Sequence, residues 1–524
     1  MKNITIKALA ASLLLVLSVS SCQKGNLAAN PNAGNANAIV PVSLIVNHLT
    51  ATLIRNDELP FGDGYKADQF QVSNYAKYWG TNEDTWSYTA HSYEILKYAV
   101  QLEVQAQSQV GANSKYLAMA KFFRAYSAIW LSQRVGDIPM SQAGNTQYST
   151  PIFDSQKDVY KNSLKLLEDA NTILNTALGT TQSAIFDTGD IFGLTNLQWQ
   201  KLINTYRLRT LINLSKRAND TPDLNVKAQF AAIINNVATN PIMTGNSDNM
   251  VYKFVASNQY PPFQQGNNAY NEFMNVGKTV LDITTATKDP RTFLMATPVN
   301  TAANIGSFTN YIGADPGTAL ATLQNTPGNY SRFNGARYFG NNLGTTAEPF
   351  IFVGYPEMCF GVAEAINKGW ISGLTANDAK SWYDKGVAAS FANFGLNVAA
   401  NSTVTISDLG GKALGTVTTD NATFLANIAY NTTDATAANA QIQQQKYVAF
   451  FMNSGWESFM NHRRTGLPTF SEGGVGIGTI GGKIPKRWLY PLDEINANNA
   501  NYKASIATQY GGADVVTADT WLTK

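Results

Sequence analysis

Cysteine is close to absent from this chain: two among 524 residues, Cys22 and Cys359. A disulfide framework is not what holds it together, and a chain of this length buries enough surface to do without one. Cys359 sits in the apolar stretch Pro356-Glu-Met-Cys-Phe-Gly-Val-Ala-Glu-Ala365 and reads as a small buried apolar residue. Histidine is as scarce, and His48, His91 and His462 lie too far apart to show metal-ligand spacing. Charge is thin at 14%, with 38 Lys+Arg against 36 Asp+Glu. Such a balance lacks the basic stripe that releases counterions from a phosphate backbone, so nucleic acid is not an expected partner. Beyond residue 22 no apolar run reaches the ~18 residues that a membrane-spanning helix needs. No phosphate-cradling loop is evident either: Gly473-Gly-Val-Gly-Ile-Gly478 is not framed by a strand and a helix, and it reads as a plain loop. No cofactor or metal is expected. A glycosidase reading would need two opposed carboxylates, and Glu83, Asp84 and Glu364 cannot be paired across a fold from sequence alone.

What the chain does have starts at its amino end. Lys2 and Lys7 precede an apolar stretch from Ala8 to Val19, and Val19-Ser20-Ser21-Cys22 closes it. Positive charge, an apolar core too short to span a bilayer, and small residues make a secretory signal over residues 1–21. The terminal cysteine makes the pattern resemble the lipobox of bacterial lipoproteins, in which that residue is acylated and heads the mature chain. Each buried methylene contributes about 0.8 kcal/mol, so two or more acyl chains anchor a protein stably. Residues 22–41, rich in Asn, Ala and Gly, read as a tether after a lipidated Cys22. Residues 42–524 are expected to form one domain, because no charged or Pro/Ser-rich linker divides them.

Within that domain the dominant period is helical. Met119, Phe122, Tyr126, Ile129 and Trp130 recur at three- and four-residue steps, which predicts a helix over 115–135 stopped by Gly136-Asp137-Ile138-Pro139. A partner is expected over 156–177. A third helix is expected over 197–217, with Lys216 and Arg217 in its last turn. A helical hairpin follows, its first arm carrying Met358, Gly361, Val362 and Ala365, and its second opened by a Thr375/Asp378 capping box and reaching Phe394. Ile442, Ala449, Met452, Trp456 and Phe459 predict one helix over 441–464. Stretches 240–350 and 396–435 read as irregular. The fold class is therefore mainly α, with tetratricopeptide-like hairpins, long irregular loops and few short strands, although the ~34-residue signature does not repeat clearly.

Several segments taken in order resemble the SusD/RagB family of outer-membrane nutrient-binding lipoproteins, in its SusD-like branch. They are Asn30-Pro31-Asn32 with the apolar helix from Ile39; Gln133-Arg-Val-Gly-Asp-Ile-Pro139 with Gln142-Ala143; and Trp199-Gln-Lys-Leu-Ile-Asn-Thr-Tyr-Arg-Leu-Arg209. Lys288-Asp-Pro-Arg291, Ala363-Glu364-Ala365, Trp382-Tyr383 and Gln445-Lys446-Tyr447 follow. Arg463-Arg464-Thr-Gly-Leu-Pro468 and Ile484-Pro-Lys-Arg487 with Tyr490-Pro491 close the series. The resemblance implies a helical, non-catalytic body on the outer membrane, facing the cell exterior and paired with a SusC-like TonB-dependent transporter. It implies an oligosaccharide cargo, or a peptide cargo as in some members; a lipoprotein glycoside hydrolase is the rival reading, which the resemblance does not carry.

Sugar rings offer C–H faces and hydroxyl edges, so a site for them pairs aromatic planes with amides, carboxylates or arginine. Residues 75–88 hold both kinds, and Trp79, Asn82, Glu83 and Trp86 are the first candidates. The resemblance adds the irregular middle region, where the candidates are Tyr260, Phe263, Tyr270, Tyr311, Tyr330, Arg332 and Tyr338. Trp130, Trp199 and Trp456 lie on apolar helical stripes and are expected in the core, where a ring of 150–250 Å² contributes about 4–6 kcal/mol. Arg207, Arg209, Arg463 and Arg464 are expected to serve structural pairing and helix ends.

Overall fold

Ser114 takes the N–H of Leu117 on its hydroxyl and so opens the helix in which the apolar stripe of residues 115–135 is wound. The computed structural model describes residues 39–55, 57–74, 91–111, 114–145, 147–177, 191–255, 272–301, 304–339, 348–477 and 481–524. Contacts separate residues up to Pro41 from a body running from Val42 to Lys524. That body is mostly helical. Its first group is α1 (Val42–Thr52), α2 (His91–Gln109), α3 (Lys115–Val135), α4 (Gln156–Ala177), α5 (Asn196–Asn213) and α6 (Val226–Asn235). From α2 to α6 each helix packs on the next, as stacked hairpins do. The second group is α7 (Tyr355–Asn367), α8 (Ala376–Asn393) and α9 (Ala435–Ala449), with α7 packing on both its companions and on α5. α10 (Glu457–Thr465) and α11 (Asn499–Tyr510) follow.

Caps written in the sequence set several boundaries. Thr195 and Gln198 exchange hydrogen bonds of 3.2 and 3.0 Å in a capping box at α5, and at the start of α8 Thr375 donates its N–H and its hydroxyl to the Asp378 carboxylate at 2.8 and 2.9 Å. Gly136 ends α3 at φ 99°, where a side chain is disfavoured, and a Cβ there would sit 2.1 Å from Gln509 Oε1. The next residue ties three elements together. Asp137 accepts the N–H of Gln156 at the start of α4, donates its own N–H to Gln509 of α11, and gives its carbonyl to the Tyr490 hydroxyl.

Three expectations need correction. α5 ends at Asn213, and Lys216 and Arg217 lie in a separate 3-10 turn that holds the carbonyls of Thr523 and Lys524. The helix expected over 441–464 is two, α9 and α10, parted at residues 450–456 where Met452 (φ 57°) and Gly455 (φ 56°) turn the chain. The stretches expected to be irregular hold short ordered elements, among them the helices Lys278–Ala286 and Asn421–Asn427. Among the described residues six short strands pair antiparallel in twos: β1 (Gln71–Ser73) with β3 (Met274–Val276), β2 (Met250–Tyr252) with β4 (Phe350–Val353), and β5 (Thr403–Ser407) with β6 (Ala413–Thr418).

The core is aromatic where the helices cross. Trp199 is fully buried with the rings of Phe122 and Phe123 edge-on at 5.8 and 6.1 Å, and Trp130 and Trp456 are buried as expected. Arg55 and Arg134 each stack 3.3 Å from Trp130, while Glu58 accepts from both guanidiniums at 3.1 Å and from the indole N–H at 2.7 Å. Further buried arginines are likewise matched with carboxylates: Arg209 with Glu357, Arg291 with Asp289 and Arg464 with Glu364. Truncating one partner of such a pair strands a charge, at a cost of about 3–5 kcal/mol. Arg207 bonds Asn204 and Asn240, and Arg463 bonds the Gln133 carbonyl, so all four motif arginines act within the packing. Cys359 is buried, and loss of solvent pushes its thiol up to about 12.

Candidate binding site

The segments that carry the sugar-type aromatics of the sequence, 75–90 and 256–271, lie outside the described residues, and with them Trp79, Asn82, Glu83, Trp86, Tyr260, Phe263 and Tyr270; so does Cys22. What the structure does place is the backbone on which both segments are mounted. β1 runs into the first and β3 follows closely on the second. Because the two strands are antiparallel, with Ser73 opposite Met274, those ends fall at the same edge. There the Asn74 N–H donates to the Phe273 carbonyl at 2.9 Å.

The sheet grows sideways through loop residues. Val276 donates to Ser331 O at 2.9 Å, Ser331 to Ile312 O at 2.7 Å, Ala314 to Val276 O at 2.9 Å and Thr297 to Arg332 O at 2.8 Å. Gly277 lets the strand pass under Gln69, whose carbonyl would stand 1.9 Å from any Cβ added there. Arg332 is thus bridged to Asn275 in β3 and projects from the same edge as Asn74. Turned so that both its ends meet complementary partners, the Asn74 amide sets its nitrogen 2.6 Å from Phe273 O and its oxygen 3.2 and 3.1 Å from the two terminal nitrogens of Arg332. Pro327 O accepts a further 3.2 Å bond from that guanidinium. Burial lowers the Arg332 pKa to about 10, and the charge of Glu272 works the other way.

The remaining candidates divide. Tyr330, half-buried, packs against Val72, Ala314 and Leu323 beside the same sheet. Tyr311 and Tyr338 are placed in the core, which corrects their expected role as ligand platforms. Tyr311, 4% exposed, packs against Phe293 and donates its hydroxyl to Ile305 O at 2.8 Å. Tyr338, 1% exposed, has Phe61, Phe333 and Phe451 edge-on around it and presents no free face. Asn74 and Asn275 belong to this edge and escaped the sequence reading, because an asparagine in a strand carries no periodic signal.

Two hollows elsewhere suit a sugar less well. The one between Glu58, Tyr126, Trp130 and Glu457 has aromatic and carboxylate walls but holds only about 20 Å³, room for one water. An open groove of about 510 Å³ on α8, lined by Asn377, Lys380, Asp384, Lys385 and Val398, has no aromatic face. Glu364, a carboxylate that a glycosidase reading would draw on, is fully buried against Arg464 at 2.5 Å. Among the described residues no three His, Cys, Asp or Glu side chains converge as metal ligands would, and no helix is long and apolar enough to cross a membrane.

No curated protein matches this sequence significantly. Solved structures do. A SusD homologue from Bacteroides fragilis superposes with a TM-score of 0.77 at 26% identity, over 92% of this chain and 100% of its own. A second SusD homologue from Bacteroides fragilis gives 0.70 at 27% identity, over 92% and 99%. A protein described as chitin-binding shares the fold, with a TM-score of 0.70 at 22% identity, over 92% of this chain and 100% of that one. The family model described as starch-binding associating with outer membrane matches residues 47–491, and on that span the chain belongs to the SusD-like family.

Proposed function

We propose that this protein is a lipid-anchored, non-catalytic receptor that captures an oligosaccharide at the outer surface of the outer membrane and delivers it to a SusC-like TonB-dependent barrel. The family membership over residues 47–491 carries the reading. The lipobox ending at Cys22 supports the anchor, and Asn30-Pro31-Asn32 and its neighbours supply a tether. The binding surface is assigned to the edge of β1 and β3, where Arg332, Tyr330 and Asn74 meet the roots of the two segments that hold Trp79, Asn82, Glu83, Trp86, Tyr260 and Tyr270. Its mixture of planar rings with amide and guanidinium donors fits the faces and edges of sugars. Exchange of that cargo needs binding and release only, and no reaction at a covalent bond.

Anchoring and delivery are tested together on outer membranes. The expected outcome is a mature chain that begins at a diacylated or triacylated Cys22 by mass spectrometry and copurifies in mild detergent with a β-barrel transporter. A bare amino terminus on a protein free in the periplasm would remove the anchor, and purification without a barrel would remove the delivery step.

A further inference from the structure

Two lysines are buried among the described residues, and they are held differently. Lys66 reaches the Asp63 carboxylate at 2.9 Å. Lys446, on α9 and only 2% exposed, reaches an amide instead: its Nζ lies 3.4 Å from Oδ1 of Asn461 on α10. Loss of solvent favours an amine over an ammonium. Burial accordingly lowers the Lys446 pKa; Arg464 adds to that, against the charges of Glu357, Glu364 and Glu457. As an ammonium the group helps hold Glu364 low, and as an amine it is a nucleophile. The amide it faces is set up as an acyl donor. Arg464 Nη2 donates to the same Oδ1 at 2.7 Å, which places a charged donor where negative charge gathers when a carbonyl is attacked. Asn461 Nδ2 is turned away to Gln443 Oε1 at 2.9 Å, and Gln443 Nε2 is held by Glu364 Oε2 at 2.9 Å. All of these side chains are buried, so bulk water does not compete for the carbonyl. A C=O bond of about 1.2 Å puts Asn461 Cγ within about 4.6 Å of the lysine nitrogen, and the flexible lysine stem closes the rest.

We propose that Lys446 and Asn461 react with one another once the chain has folded, and that the protein carries an isopeptide cross-link between α9 and α10. The amine Nζ attacks Cγ, and the C=O electron pair moves onto Oδ1, where Arg464 meets it. The surplus proton on Nζ passes to Nδ2. The Cγ–Nδ2 bond then breaks as the carbonyl re-forms, and ammonia leaves. One amide is exchanged for another, with no oxidant, reductant or cofactor. The ring so closed joins residues 15 positions apart and takes in the 450–456 turn, so it ties the two helices across their break and narrows the unfolded ensemble. The bond is independent of what the protein captures.

Mass spectrometry of the purified, folded wild-type protein, intact and then digested, is the test. The intact chain is expected to be lighter by one ammonia than the sequence of its processed form. After cleavage at the intervening Tyr447, Phe450 and Phe451, the peptides that hold Lys446 and Asn461 should stay joined, and fragmentation should place the link on those two side chains. Lys446→Met and Asn461→Ser should each keep the full mass and release the two peptides separately. Separate peptides from the wild-type chain would overturn the proposal. So would an ammonia loss confined to Asn461 alone, the mark of an internal imide, or a loss that persists undiminished in Lys446→Met.

Discussion

Two buried carboxyls respond to acid in opposite directions, and each gives a test. Asp68 is fully buried; one oxygen takes the Phe459 N–H at 2.7 Å and the other has no partner. Burial therefore raises its pKa well above the usual carboxylate range. A raised folded pKa means that the fold holds the proton: the contribution is full below about pH 3.9 and is lost as pH rises through the folded value. Asp68→Asn should melt at or above the parent temperature near pH 8, with the difference closing toward about pH 4. A larger loss at the alkaline end would contradict this. Glu364 is the reverse case. Burial pushes it up, but Arg464, Lys446 and Lys368 outweigh that and hold it down to about 2. Its contribution is present above about pH 4.3 and disappears as pH falls toward about 2. Glu364→Gln should cost about 3–5 kcal/mol at neutral pH, since it strands Arg464, and progressively less in acid. Denaturant melts at several pH values measure both. At this scale the sequence was legible where charge must find charge, as for Arg209 and Arg464. It was not legible for Tyr311 and Tyr338, because an Asn- and Gly-rich surround looks the same whether a ring faces inward or outward.

Helices 115–135, 156–177 and the 375–393 arm were readable almost to the residue, because cap chemistry and a three- and four-residue period coincide there. The break between α9 and α10 was hidden for the opposite reason. Met452 and Trp456 are buried within it, so the apolar spacing runs on through a turn. The turn has a purpose in packing: Gly455 donates its N–H to the Tyr65 hydroxyl at 3.0 Å, and Trp456 swings its indole N–H to Asp57 and its ring against Trp488 at 4.8 Å. Gly455→Ala would place a methyl 3.1 Å from Phe350 and 3.2 Å from Glu58 at φ 56°. The expected loss is about 1–2 kcal/mol from backbone strain, plus crowding. An unchanged unfolding midpoint would show that this turn relaxes freely.

Across the whole molecule, the contacts that define the fold join residues from tens to hundreds of positions apart. Asp68 caps the start of α10 across 391 residues, and Glu58 gathers Arg134 and Trp130 from 76 and 72 residues away. Local periodicity cannot register such pairs, which is why the order of motifs, rather than any single one, pointed to the architecture. The binding edge is assembled in the same way, from residues 69–74, 272–277, 312–314 and 330–332. Its central claim is capture of an oligosaccharide without turnover. The most direct measurement is isothermal titration of a glycan panel into the purified protein, followed by chromatography of the recovered sugar. Saturable heat for at least one oligosaccharide, recovered intact, is the expected result. Cleaved sugar, or no heat with any glycan, would contradict it.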